Sequence, residues 1–289
     1  MAMNESDFPA IYQSADRQSV WYQRFFILSL TSNLICMIVF SILSTINIPD
    51  KNFAIFQSII LFIGFCLTIY LIIAKPQEVW YGARALAESI KTMTWRYMMR
   101  AEPYNGSDQD ARAHFLLNLR KLLDANKKIS SLTVPVDDKE ITIKMESVRA
   151  FNIEERKQLY KTDRIEDQRK WYIRKSRANK NRAIVFFSAI CIAYLIMIIF
   201  SIARPAYPDI KYWPTDVLVT IASSILAWTQ TKRYQELSAS YSLTAREINL
   251  LSAEFPKENK EVEFSGFVGD AENAFSREHT QWQARRDQD

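Results

Sequence analysis

Four apolar segments constrain this chain more than any other feature. Residues 25–46, 53–74 and 183–203 contain no Asp, Glu, Lys or Arg, and each has the roughly 20 residues that a helix needs to cross a bilayer. The fourth segment, 213–230, is shorter and more polar; it contains Asp216 and opens with a Trp-Pro pair that suits a helix start at a membrane surface. These segments predict an all-α integral membrane protein with four transmembrane helices arranged as two hairpins.

The distribution of basic residues predicts how the hairpins are oriented. Of 37 Lys and Arg residues, only Lys51 lies between the first two apolar segments, and only Arg204 and Lys211 lie between the last two. Cytoplasmic loops of membrane proteins carry an excess of Lys and Arg, so both termini and the segment 75–182 are expected to be cytoplasmic. That segment is itself basic, which fits anionic lipid headgroups, an anionic ligand or, more simply, a solvated helix surface.

The polar segments are predicted to be mainly helical. Asn152 followed by Glu155 indicates a helix start with reciprocal capping, and nothing interrupts the helical pattern from there to Arg204-Pro205. A short strand is predicted at 140–143. Residues 109–126 have the periodicity of an amphipathic helix. Its predicted apolar face consists of Ala113, Leu116, Leu117, Leu119, Leu122 and Leu123.

An internal repeat relates the two hairpins. The sequence QSVWYQR at 18–24 recurs as QRKWYIR at 168–174, before the first and third apolar segments. After the second and fourth segments, a Trp, a basic residue and Glu recur with the same spacing, as Trp80, Arg84, Glu88 and Trp228, Lys232, Glu236. The spacing predicts an i, i+4 ion pair in each copy. The tryptophans are expected at membrane–water interfaces; they are Trp21, Trp80, Trp171 and Trp228.

Motifs of common enzyme classes are absent from the sequence. None of the five glycines belongs to a phosphate-binding loop, and no Gly-x-Ser-x-Gly motif occurs. His114 and His279 have no Cys or acidic residues at metal-ligand spacing. Cys36, Cys66 and Cys191 all lie inside apolar segments, so no disulfide framework is indicated. We predict a protein that is not an enzyme, with no cofactor, no metal and no nucleic-acid partner.

Polar and small residues follow one side of the fourth apolar segment. Such a stripe can line a water-filled pore once several copies assemble, or can let helices pack closely. The candidate pore-lining residues are Asp216, Thr220, Ser223, Ser224, Ala227 and Thr231. Weaker stripes occur in the first two segments, where packing is the favoured interpretation. They contain Ser29, Asn33 and Cys36 in the first segment and Gln57, Leu61, Gly64 and Thr68 in the second.

Four short motifs resemble bacterial SLATT-domain proteins, in the form with two fused SLATT units. They begin at Trp80 (WYGARALAES), Trp95 (WRYM), Arg164 (RIEDQRKWY) and Ala271 (AENAFSREHTQW), and their order around the spans covers nearly the whole chain. The resemblance implies a first unit at 1–101 and a helical insertion with the short strand at 102–151. It implies a second unit at 152–255 and a C-terminal tail with a short amphipathic helix at 256–289.

This resemblance also implies a function and partners. Proteins of this family look like membrane effectors of bacterial anti-phage and conflict systems, which form pores or disrupt the inner membrane. It implies a homo-oligomer in contact with lipid, and a nucleotide second messenger or a signalling protein as partner. No catalytic residues belong to the family pattern. A non-conducting membrane scaffold and a constitutive small-ion channel are the alternatives from other functional classes.

Overall fold

The computed structural model describes residues 3–46, 48–132 and 139–286, with side chains described as far as Ser276. Within these ranges the chain is helical and forms no strand. Its α-helices are α1 (Ala10–Ile46), α2 (Lys51–Ala74), α3 (Pro76–Met98), α4 (Asp108–Ala125), α5 (Lys127–Ser130), α6 (Ile143–Arg149), α7 (Ile153–Leu159), α8 (Asp167–Ala203), α9 (Thr215–Lys232), α10 (Tyr234–Ala253) and α11 (Glu261–Arg286).

Three helical stretches are long and apolar enough to cross a membrane. They are Ala10–Ile46, Lys51–Ala74 and the continuous stretch Ile153–Ala206, and they contain the first three predicted spans. The fourth predicted span forms α9, which has 18 residues. Among the described helices α9 does not reach the apolar character of the other three, because it contains Asp216, Lys232 and several hydroxyl groups. The predicted count of four spans is therefore not confirmed.

The helical stretch before the third apolar segment begins and continues as predicted. The Asn152 side chain accepts a hydrogen bond from the backbone N–H of Glu155 at 2.9 Å, and the Glu155 carboxylate accepts one from the N–H of Asn152 at 3.2 Å. This reciprocal capping starts α7. Between α7 and α8, Tyr160–Glu166 form a π-helical segment, which the sequence pattern did not predict. Such segments are rare and often occur at functional sites.

The chain divides into two compact units, each of which takes segments from both halves of the sequence. The first unit contains Met1–Gln23, Gln77–Arg174 and Ser240–Asp289, and the second contains Arg24–Pro76 and Lys175–Ala239. The second unit holds the apolar segments. The divisions predicted from the sequence (1–101, 102–151, 152–255 and 256–289) instead follow the order of the chain. They describe repeated sequence units and stay a prediction.

The first unit has an aromatic core. The rings of Trp95 and Tyr160 meet edge to face with centroids 5.8 Å apart, and the rings of Tyr160 and Phe264 do so at 6.1 Å. All three side chains are buried. Aromatic pairs prefer this edge-to-face arrangement over face-to-face stacking. Phe264 belongs to α11, whose 26 residues make it longer than the short helix predicted for the tail. The C-terminal segment is therefore part of the core.

Helix α4 turns only part of its predicted apolar face to this core. Three members of that face are buried in the core or packed against it: Leu119, Leu122 and Leu123. The other three are exposed, namely Ala113, Leu116 and Leu117. The large ring of Phe115 determines the rotation of the helix, because it packs against two buried tyrosine rings.

The short strand predicted at 140–143 is not formed. Thr142 caps α6 instead, since its hydroxyl accepts a hydrogen bond from the N–H of Met145 at 3.2 Å. The same hydroxyl donates to the carbonyl oxygen of Asp7 at 2.7 Å. A threonine at this position satisfies a free N–H group of the first helical turn, so the chain enters a helix where β-branched residues suggested a strand.

One of the two ion pairs predicted from the repeat is confirmed. On α3, Nη2 of Arg84 lies 2.6 Å from Oε1 of Glu88. The prediction of a corresponding pair between Lys232 and Glu236 is wrong, because Arg233 adopts a left-handed conformation with φ of 48° and ends α9. Helical spacing is lost at that point, and Glu236 pairs with Arg233 at 2.7 Å.

Candidate functional site

Polar contacts inside the second unit join α1 to α2. The Asn33 side chain is buried, and its Nδ2 donates to the carbonyl oxygen of Gly64 at 2.9 Å and to Oγ1 of Thr68 at 2.8 Å. In lipid a side-chain amide has no water to replace these partners, so such hydrogen bonds hold neighbouring helices together. The placement of Asn33, Gly64 and Thr68 agrees with the packing interpretation of the first two segments.

Helices α8 and α9 are joined by small apolar side chains. Ala193 and Met197 of α8 form a buried cluster with Ala222 of α9, and small residues at such a contact let two helices approach closely. Helix α9 also reaches α1, because Oγ1 of Thr220 lies 3.1 Å from Oγ of Ser41. One face of α9 is therefore used for packing within the second unit.

The fold separates the six candidate pore-lining residues. Asp216 and Ser223 are exposed, Thr220, Ala227 and Thr231 are half-buried, and Ser224 is buried. Two hydroxyls in the stripe are also near acceptors in their own helix: Oγ1 of Thr220 lies 2.9 Å from the carbonyl oxygen of Asp216, and Oγ1 of Thr231 lies 2.9 Å from that of Ala227. Ser224 thus lies inside the second unit, whereas Asp216 and Ser223 are available on its surface. A pore-lining role for any of the six stays a prediction.

The four predicted interface tryptophans differ in their surroundings. Trp21 is 52% exposed, whereas Trp80, Trp171 and Trp228 are half-buried. Ring partners explain part of this burial: Trp80 stacks on the ring of the next residue at 4.3 Å, and Trp171 meets the Tyr241 ring edge to face at 5.5 Å. The ammonium of Lys232 lies 4.9 Å from the centre of the Trp228 ring. Their position at a membrane surface stays a prediction.

A charged cluster lies at the centre of the first unit, and the sequence patterns did not single it out. Arg164 in the π-helical segment forms two parallel hydrogen bonds with Glu272 of α11, from Nε at 2.8 Å and from Nη2 at 2.7 Å. The hydroxyl of Tyr160 donates to the same carboxylate at 2.9 Å, and the Arg164 guanidinium lies 4.7 Å from the Phe275 ring centre. The available signal was Glu272 standing among Ala271, Ala274 and Phe275 in one of the motifs quoted above.

Electrostatics favour the protonated forms of Arg164 and Tyr160. Burial lowers the pKa of Arg164, but the Glu272 carboxylate raises it by more than burial lowers it. The pKa of Arg164 therefore lies above the ordinary value for arginine. Burial together with the same carboxylate raises the pKa of the Tyr160 hydroxyl well above its ordinary value. The hydroxyl therefore stays protonated and remains a donor. The cluster is suited to holding α11 against the π-helical segment, and all three side chains are buried.

Other cations of the first unit are committed to carbonyl groups at loops and helix ends. Arg149 is buried and donates to the carbonyl oxygen of Tyr97 at 2.6 Å, and Arg156 donates to that of Met99 at 2.8 Å. Nζ of Lys157 lies 2.8 Å from the carbonyl oxygen of Glu258. These hydrogen bonds join segments of the first unit that are distant in sequence. Over the residues that the structure describes, no group of three or more His, Cys, Asp or Glu is placed to hold a metal ion.

Comparison with known protein families agrees with this arrangement. The model of the SMODS and SLOG-associating 2TM effector domain 3 matches residues 9–157, about half of the chain. The model of the SMODS and SLOG-associating 2TM effector domain 1 matches residues 160–282. The chain belongs to the SLATT family. It carries two SLATT domains in tandem, as the sequence motifs indicated.

Each SLATT domain of this chain contains one of the two predicted hairpins. Domains of this family are two-transmembrane effector domains associated with conflict systems. The two matched ranges meet within three residues of each other, next to the start of the π-helical segment at Tyr160. No curated protein and no solved structure matches the chain.

Proposed function

We propose that this SLATT protein is a membrane effector of a bacterial conflict system that permeabilises the inner membrane. In this proposal α9 crosses the membrane as the fourth span, and both termini and the segment 75–182 are cytoplasmic. Several copies assemble, because the helices of one chain enclose too little space for a hydrated path. A nucleotide second messenger or a signalling protein in the cytoplasm triggers the assembly to open.

The contrast between two surfaces of the second unit carries this proposal. Phe62 and Ile73 of α2 are 64% and 76% exposed, and Ile202 of α8 is 75% exposed. Such surfaces are suited to lipid. Helix α9 of the same unit exposes Asp216 and Ser223 along with apolar Val219 and Leu226. Asp216 lies in the first turn of α9, so in this proposal it stands at the mouth of a pore, where an ionisable residue of a span meets water. A pore shared between copies supplies that water.

A non-conducting scaffold is the second candidate, and the burial of Ser224 favours it. Together with Ala222, Ser224 lies inside the unit, so part of the polar stripe serves packing within a single chain. In a scaffold, the exposed residues of α9 would contact neighbouring copies without enclosing water. A constitutive small-ion channel differs from the effector in conducting without a trigger.

Leucine at Ser223 tests the proposed pore. The residue is exposed, so a larger side chain does not disturb packing within the chain. In the assembly, the introduced leucines of all copies form a ring around the narrow pore, and such a hydrophobic constriction blocks ions by dewetting. We expect depolarisation of expressing cells to slow by at least about tenfold. Val219→Leu is the matched control, because Val219 is an apolar, 49% exposed residue of the same helix.

Membrane abundance and oligomer size of each variant are measured alongside depolarisation, by native mass spectrometry in nanodiscs. Normal assembly with slower depolarisation for Ser223→Leu alone supports pore lining. Loss of depolarisation only together with loss of assembly favours the scaffold. Unchanged depolarisation for Ser223→Leu would remove this residue from the conducting path, and depolarisation without any trigger would favour the constitutive channel.

A further inference from the structure

Among the described residues of the first unit, five leucines are exposed, and four of them form two pairs. On α4, Leu116 and Leu117 are 41% and 48% exposed, and on α10, Leu243 and Leu250 are 59% and 66% exposed. Single exposed leucines need no explanation, but a pair on one helix face beside a concave surface is typical of a contact site. The opposite faces of both helices already pack in the core of this unit.

Leu250 of the α10 pair lines an acidic groove between α10 and α11, and Leu243 lies two helical turns before it. The groove has a volume of about 740 Å³, and its described lining residues are Glu247, Leu250, Leu251, Glu254, Asp270, Asn273, Ala274 and Ser276. Asn273 already accepts a hydrogen bond from Arg96 at 2.7 Å. For Glu247, Glu254 and Asp270, by contrast, the described side chains supply no ion-pair partner. The described lining of the groove therefore combines apolar side chains with three carboxylates.

The α4 pair has the opposite charge around it. One helical turn after Leu116 and Leu117 come Arg120 and Lys121, and both are exposed. Neither cation has an ion-pair partner among the described side chains. Side chains four residues apart lie on one helix face, so two leucines and two cations form a single strip, which ends at the exposed carboxylate of Asp124. We call the two leucines and two cations the α4 strip.

We propose that the α4 strip of one copy docks in the α10–α11 groove of the next copy. A helix packs its ridge of side chains into a groove between two others, and the opposite charges fix the pairing. Because the two surfaces differ, the contact is head-to-tail, and repetition of such a contact produces a ring or an open filament. The inference rests on the proposed function only in requiring more than one copy.

Intermolecular cysteine cross-linking tests the contact directly in the full-length protein. With Cys36, Cys66 and Cys191 replaced by alanine, Leu117→Cys and Leu250→Cys are placed in two differently tagged chains that are co-expressed. Isolated membranes are then treated with a copper–phenanthroline oxidant, which takes up the two electrons released when two thiols form a disulfide. A head-to-tail contact predicts a disulfide-linked dimer that carries both tags. Val262→Cys is the control partner for Leu117→Cys, because Val262 is 85% exposed on α11 but does not line the groove.

Charge reversal tests the complementarity. Arg120→Glu with Lys121→Glu, or Glu247→Lys with Glu254→Lys, places like charges opposite each other, and we expect the oligomer fraction to fall by at least about tenfold. All four changes in one chain restore opposite charges and should restore assembly. Circular dichroism melting shows whether each variant still folds; these side chains are exposed, so folding should not change.

Three outcomes would overturn the contact. One is a cross-link that forms equally well with Val262→Cys. Another is a prevailing cross-link between two Leu117→Cys chains, which indicates a symmetric interface. The third is a monomer that forms no cross-link, which leaves the groove to a basic helix of another protein. Depolarisation is recorded separately: assembly through this contact without depolarisation supports the contact and contradicts the proposed pore.

Discussion

At the scale of single residues, the buried trio of Arg164, Glu272 and Tyr160 defines the first unit. The guanidinium and carboxylate are 2% and 0% exposed, so neither charge is solvated by water. Removing a charge pair from water is expensive, and close geometry with further hydrogen bonds is needed to offset that cost. Here the two parallel hydrogen bonds and the Tyr160 hydroxyl offset part of it, while Nη1 of Arg164 is buried without a hydrogen-bond partner among the described residues. The trio fixes which side of α11 faces the π-helical segment.

Glu272→Gln removes the negative charge and leaves Arg164 buried without a counter-ion. We expect the free energy of unfolding to fall by about 3–5 kcal/mol, measured by urea unfolding in detergent with tryptophan fluorescence. Glu166→Gln is the control, since its pair with Lys170 at 4.0 Å is exposed to solvent, and its loss should cost less than about 1 kcal/mol. Equal losses in the two variants would mean that the buried pair contributes no more than a surface pair.

At the scale of elements, one helical stretch leads into the third apolar segment. The sequence predicted where this stretch begins but not the π-helical segment inside it. Its first turn is capped by Asn152 and Glu155. Its π-helical segment, Tyr160–Glu166, places Tyr160, Arg164 and Ile165 in the core together. A π-helical turn changes the angle between successive side chains, so these three residues face the core although regular α-helical spacing would spread them more widely.

Asn152→Ala removes the cap of α7 and leaves a free N–H group in its first turn. The expected loss of stability is about 1 kcal/mol, and hydrogen exchange of the amides at 153–157 should become faster, as measured by mass spectrometry. Asn152→Asp keeps an acceptor at this position and should leave exchange nearly unchanged. If alanine and aspartate behave alike, the capping box does not hold this helix end.

At the scale of the whole molecule, surface chemistry divides the chain into two kinds of unit. The second unit exposes large apolar side chains along α1, α2 and α8, whereas the first unit has a buried aromatic core and exposes most of its charged residues. Apolar helices without water-compatible surfaces are suited to a bilayer. The first unit has the composition of a domain that folds in water. Lys and Arg are concentrated in its segments and scarce in the short loops between spans.

The predicted orientation follows from this charge distribution and is tested by labelling single cysteines in a cysteine-free chain. Asn52, Pro208 and Asp124 are all exposed, so differences in labelling report accessibility from one side of the membrane. A membrane-impermeant maleimide applied to intact spheroplasts should label cysteines at Asn52 and Pro208 but not at Asp124. After permeabilisation all three should react. Labelling at Asp124 in intact spheroplasts would reverse the predicted topology.

Local sequence patterns predicted much of the helical architecture, because the interactions behind them are local. The length and apolar character of three segments predicted the helices that can cross a membrane. Asn152 and Glu155 predicted a helix start, and Arg84 and Glu88 predicted an ion pair, since each pair lies within one turn of helix. The motifs at Trp80, Trp95, Arg164 and Ala271 predicted the family that the comparisons then showed.

Features that depend on neighbours distant in sequence were decided by tertiary structure alone. Leucine spacing on α4 predicted only half of the buried side correctly, because the Phe115 ring packs between tyrosines from other segments. The predicted Lys232–Glu236 ion pair does not form, because the left-handed Arg233 ends the helix between the two residues. The sequence repeat had suggested a continuous helix at this point. The fold also placed Ser224 inside and Ser223 outside, one residue apart. Periodicity along one helix cannot distinguish a packed face from an open one, since that difference is made by the helix that packs against it.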